Sequence, residues 1–230
     1  CNAPKSYVLT DYLEVMWHGS SLDATTAGYL TIVPFLLALV SVWCGKLPLR
    51  RILTPYYIVA MLLVSMIFVG DFSLFSFWES KLDASIFIYI DSPKNAMASV
   101  STLYVVGRVL LIVVLTALMS LLLRWLTPKT LGDLGLMRRR VVSTVLAVPV
   151  GALLFVVIRG GVRVSTQNVG SAYFSNDQYL NLSAINPAFN LLASMGQQSK
   201  YEDEFNFYDE PQRASLMQGL YPKADTDTPV

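Results

Sequence analysis

The chain has 230 residues, of which 54% are hydrophobic and only 14% charged, and its mean hydropathy is +0.51. A soluble domain carries about a quarter charged residues, so this composition excludes an ordinary water-soluble globule and points to a membrane protein. The net charge of +1 gives no global attraction to nucleic acid, and no nucleic-acid partner is expected. Two cysteines, Cys1 and Cys44, are too few for a disulfide framework and have no metal-binding spacing.

In chain order, residues 1–26 read as an extracytoplasmic segment. Cys1 at the start fits either the lipidated first residue of a bacterial lipoprotein or a point following an upstream span. Thr10 can cap a short helix from Asp11 to Trp17 that Gly19 ends just after His18, and Asp23 can cap the helix that becomes the first span. Four apolar runs then follow: Ala27 to Gly45, Ile52 to Gly70, Leu103 to Leu123 and Val141 to Ile158. Each is roughly 18 to 21 residues, enough at about 1.5 Å per residue to cross about 30 Å of hydrocarbon. A helix is the form that satisfies the backbone there without closing a barrel. Pro55 is expected in a first turn, whereas Pro34 and Pro149 are expected to bend their helices.

Between the second and third runs, "DFSLFSFWESKLDASIF" extends the span past Asp71 with the aromatic composition of a membrane surface. A continuing helix would carry Glu79 and Asp83 on one side with Phe75, and Ser92 followed by Pro93 reads as a cap and first turn toward the third span. The link between the first two runs carries Lys46, Arg50 and Arg51 with no acid. That between the last two carries Arg124, Lys129, Arg138, Arg139 and Arg140 against Asp133 alone. By the positive-inside rule both links are cytoplasmic. Residues 71–102, with four acids and two bases, and the segment after Ile158, with eight acids and five bases, then lie outside. This topology also puts residues 1–26 outside, which an upstream span would explain, so five spans are expected in the intact protein.

After the last span, Gly160 and Gly161 let the chain turn. Leu182, Ile185, Phe189, Leu192 and Met195 recur at spacings of three and four, as in a piece lying in the interface with its apolar side in lipid or against the bundle, interrupted at Asn186 and Pro187. Asn168, Asn176, Asn181 and Asn186 are expected to tie loops together. The fold expected is therefore all-α: a polytopic helical membrane domain over 27–158, interfacial juxtamembrane helices over 159–199, and a linker over 200–230.

The stretches "GYLTIVPFLL", "FSFWESKLDASIFIYIDSP" and above all "STQNVGSAYFSNDQYLNLSAINPAFNLLAS" resemble the N-terminal membrane region of bacterial lipoteichoic-acid-synthase-like proteins, from about Thr10 to Ser199. Those are sulfatase-family phosphoglycerol or phosphoethanolamine transferases of the alkaline phosphatase superfamily. The resemblance implies a five-helix membrane domain in the bacterial cytoplasmic membrane, joined to an extracytoplasmic catalytic domain. In that domain a Thr bound to a divalent metal, Mn, Mg or Zn, takes a head group from phospholipid and passes it to an envelope acceptor. None of that domain is in this chain, which with one His cannot assemble a dinuclear site of several His and Asp ligands. No catalytic residue and no metal or other cofactor are therefore assigned within it. Partners implied are membrane phospholipid and the sulfatase-like domain; homo-oligomerisation is left open. The rival reading is a non-enzymatic scaffold or a small transporter subunit, although transporters usually show paired broken helices around charged midplane sites.

Seven residues are candidates for lipid or head-group binding, each with an ordinary role beside it. His18 and Asp23 contact a head group or the catalytic domain, or are a surface His and a helix cap. Asp71 and Glu79 line an opening for a cationic or polyol head group, or form a solvated acidic face. Arg108 pairs with Asp71 or Glu79 or with a lipid phosphate, or snorkels to the phosphate layer. Arg159 and Arg163 grip a donor lipid, or simply anchor to phosphates.

Overall fold

The computed structural model describes residues 7–44, 47–87, 101–130, 137–162, 164–204 and 208–217. Among them every regular element is a helix and none is a strand: α1 (Leu9–Cys44), α2 (Leu49–Trp78), α3 (Thr102–Leu126), α4 (Met137–Arg159), a 3-10 turn (Val169–Ala172), α5 (Gln178–Ala184), α6 (Pro187–Glu204) and α7 (Glu210–Met217). The first four are long and apolar enough to cross a membrane. Their apolar side chains point outward: Val113 is 55% exposed, Leu121 62% and Val148 69%. Such surfaces would drive aggregation in water but match hydrocarbon. The chain is a multi-pass membrane protein.

The spans associate as two antiparallel pairs, α1 with α4 and α2 with α3, and α1 touches α2 much less. Small residues let the first pair approach closely. A Cβ added at Gly28 would stand 2.8 Å from Ile158, and one at Gly151 would stand 3.2 Å from Phe35. Thr25 Oγ1 donates to Val157 O at 3.1 Å, and Trp43 Nε1 to Thr144 Oγ1 at 3.1 Å, at opposite ends of the pair. In the second pair the Tyr57 and Thr127 hydroxyls bond at 2.9 Å. The pairs meet where Tyr56 OH donates to Leu30 O at 2.7 Å.

Several boundaries differ from the sequence expectation. Residues 9–44 form one 36-residue helix, about 54 Å long at 1.5 Å per residue, so its first turns stand clear of the hydrocarbon. It starts at Leu9, where the Asp11 carboxylate accepts the Val8 N–H at 2.9 Å, the reach-back half of a capping box; Thr10 is not the cap. Gly19 does not end a helix and Asp23 does not begin one. Gly19 is instead the contact point with α5, since a Cβ there would lie 2.8 Å from Ala184 O. Pro55 falls beyond the first turn because α2 begins at Leu49. Ser92 and Pro93 lie outside the described residues.

Residues after α4 form a collar over one end of the bundle. Gly160 and Gly161 take φ of 86° and 104°, open to glycine without strain, and the reversal is closed by Gln167 N–H donating to Arg159 O at 2.9 Å. Leu22, Ala172, Ala184 and Ile185 form a buried cluster joining α1 to the collar. The apolar stripe of the collar is divided: Ile185 is buried, Leu182 and Phe189 are half-buried against the cluster, and Leu192 and Met195 stay exposed. At the opposite end, the start of α2 meets the end of α3, where Arg50 Nε donates to Thr127 O at 2.8 Å.

Candidate functional site

The collar end holds two hollows separated by the first turn of α6. The first is built by the way α2 stops. Glu79 takes a left-handed conformation (φ 50°) and closes the helix with its N–H on Phe75 O, so the helix does not continue and Glu79 and Asp83 do not share a helical face. The reversal brings Lys81 and Leu82 back over the last turns. Lys81 Nζ lies 2.8 Å from Asp71 Oδ2, with side chains only 13% and 7% exposed, while Leu82 N–H donates to Asp71 Oδ1 at 2.9 Å. Both carboxylate oxygens are thus engaged, the condition under which a buried ion pair is tolerated.

α6 holds this reversal in place. Asn190 Nδ2 donates to Leu82 O at 2.9 Å, and Ala84 N–H donates to Ser194 Oγ at 2.9 Å. Asn186 stands just before Pro187, accepts the Phe189 N–H at 3.0 Å, and donates through Nδ2 to Asp23 Oδ1 at 2.6 Å. Asn before Pro in the first helical position is a strong start signal. Asp23, Asp71, Lys81 and Asn186 line a cavity of about 310 Å³, with Phe68 and Phe72 on its apolar side. Two carboxylates against one ammonium leave it with excess negative charge.

The second hollow lies on the other side of α6. An apolar groove of about 620 Å³ runs between α1 and α2 from Tyr56, Ala60 and Val64 up to Gln167, Ala188 and Phe189. Its upper end shares Tyr29, Gln167 and Phe189 with a cavity of about 440 Å³ that Arg159 lines. Gln167 is fixed there, donating to Ser21 Oγ at 3.0 Å and Ser171 Oγ at 2.9 Å. An apolar trough with a cation and an amide at its mouth has the polarity profile of a phospholipid.

The candidate residues therefore separate. Asp23 and Asp71 meet in the acidic cavity, and Arg159 stands at the groove mouth. Glu79 is exposed beyond the helix end. Arg108 does not pair with Asp71, whose oxygens are taken. Its guanidinium lies 5.0 Å from the Phe72 ring centre and 4.6 Å from that of Tyr104, cation–π contacts placing it beside that cavity. His18 stacks on Phe174 at 4.5 Å with rings 2° from parallel. Arg163 lies outside the described residues. Asn181 ties a loop as expected, accepting from Phe174 N–H and Ser175 N–H at 2.9 Å each. Among the described residues no three His, Cys, Asp or Glu side chains gather to hold a metal. Sequence reasoning missed Lys81, whose spacing of ten from Asp71 is no helical repeat, and Gln167, whose place depends on the glycine turn.

No protein family, curated protein or solved structure matches the chain.

Proposed function

We propose that this chain is the membrane-anchoring and lipid-presenting region of a transferase that moves a phosphoglycerol or phosphoethanolamine head group from phospholipid to a cell-envelope acceptor. The catalytic step belongs to a sulfatase-like domain with its own divalent metal. The observation that supports this is the apolar groove continuing at its mouth into the cavity lined by Arg159. One acyl chain in the groove and a phosphate at Arg159 would hold a donor lipid with its head group raised to the collar, turning a three-dimensional search into a short surface transfer. The positive-inside rule puts the basic end in the bacterial cytoplasm and the collar outside, the side on which such a domain would act.

Intact protein in vesicles of phosphatidylglycerol and phosphatidylethanolamine tests the reading through the diacylglycerol released. Arg159→Gln and the groove-filling Ala60→Trp are expected to lower release about tenfold at limiting lipid, as loss of a charge-assisted phosphate contact or of bound chain would. Unchanged release in both variants contradicts lipid presentation. No diacylglycerol from the intact protein contradicts the transferase reading and leaves the scaffold or transporter.

A further inference from the structure

The basic end carries a second site that the head-group transfer does not use. Arg50, Arg51, Arg124 and Lys129, with Thr54 and Thr130, line a concave cavity of about 530 Å³ between the start of α2 and the end of α3, and none of the described residues lining it is acidic. Bases that merely anchor a protein splay outward into the phosphate layer. Here Arg50 is half-buried and drawn inward, its Nε on Thr127 O at 2.8 Å, and Thr127 is in turn held by Tyr57 at 2.9 Å. The polar bridge fixes the two helix ends around the hollow. α2 contributes further: Pro48 offers no capping side chain and no acid stands in the first turn, so the positive end of the helix dipole has no carboxylate against it. Arg51, Arg124 and Lys129 stand exposed around the inward-drawn Arg50, so four like charges converge on one hollow and give it a positive potential that attracts an anion.

We infer that this cavity binds the phosphates of an anionic membrane lipid carrying two negative charges. The lipid source follows from position. Ile52 and Leu122, one step deeper on the two helices, are exposed toward the hydrocarbon, so acyl chains can run down the faces of α2 and α3 while phosphates occupy the basic hollow. Two phosphate charges balance four guanidinium and ammonium groups better than one phosphodiester, and basic pockets between span ends suit such head groups. Arginine forks favour bidentate phosphate contacts. The site lies at the opposite end from the proposed donor groove and stands whether or not the transferase reading does.

The test is retention of lipid by the full chain purified in detergent, measured by native mass spectrometry with diphosphatidylglycerol, phosphatidylcholine and inorganic pyrophosphate as probes. Wild type is expected to retain diphosphatidylglycerol over phosphatidylcholine. Arg51→Gln with Arg124→Gln is expected to weaken retention about tenfold or more, at the free energy usual for bases facing anionic lipid. Arg138→Gln with Arg139→Gln removes the same charge outside the cavity and is expected to change it less than about twofold. Should the first variant fail to elute as folded protein, Lys129→Gln, exposed beyond the end of α3, is expected to show the same loss in smaller degree. Equal loss in both double variants, or no preference over phosphatidylcholine, overturns the site. Pyrophosphate binding as tightly as the lipid assigns the phosphate chemistry to a soluble ligand and overturns the lipid assignment.

Discussion

The two ends of the bundle handle polar groups in opposite ways. At the collar end the two carboxylates lining the acidic cavity have partners within the protein: Asp71 has Lys81 and the Leu82 amide, and Asp23 has Asn186. At the basic end like charges gather around a hollow whose described lining holds no acid. A polar network closed on itself rigidifies what it joins, whereas uncompensated charge directs binding outward. The collar is thus a fixed platform tied to α1 and α2, and the basic end is a surface waiting for anions.

The contrast can be broken most severely at the ion pair. Asp71→Leu strands a nearly buried ammonium, and removing one partner of such a pair costs about 3 kcal/mol or more. Thermal unfolding in detergent should show a large fall, largely restored in Asp71→Leu with Lys81→Met; no restoration would mean that the cavity and not the charge pair carries the stability. Asn186→Ala removes both the α6 start and the link to Asp23, with an expected loss of about 1 kcal/mol and faster hydrogen exchange over residues 185–190. At the basic end the same kind of change should do almost nothing. Arg124→Gln is expected to leave unfolding within about 0.5 kcal/mol of wild type, because no described acid in that hollow loses its partner. A loss as large as that of Asp71→Leu would erase the distinction between the two ends.

The four spans were legible because unbroken apolar runs of spanning length have few alternatives, and the basic links were legible from charge alone. The helix ends were not. Gly19 carries the local signal of a stop, yet the helix runs through it because its missing side chain is what admits the Ala184 carbonyl; tertiary packing decided over local preference. Asp23 looked like a cap because Asp caps helices, but its partner Asn186 is distant in sequence. The pairing of α1 with α4 and α2 with α3 leaves no periodic trace, since lipid-facing and helix-facing positions are both apolar. The Asp71–Lys81 pair depended on Glu79 adopting a left-handed turn, which a non-glycine residue seldom announces. The groove followed from the loose meeting of the two pairs, so only its mouth residue Arg159 stood out beforehand.

The orientation of this asymmetric bundle is the claim on which the lipid-presenting reading depends, and single cysteines read it directly. In a background with Cys1 and Cys44 replaced by Ser, Ser175→Cys on the collar and Lys129→Cys at the basic end can be exposed to a membrane-impermeant maleimide in intact cells. The account predicts labelling at position 175 and protection at 129 until the membrane is permeabilised. Labelling at 129 with protection at 175 would contradict it.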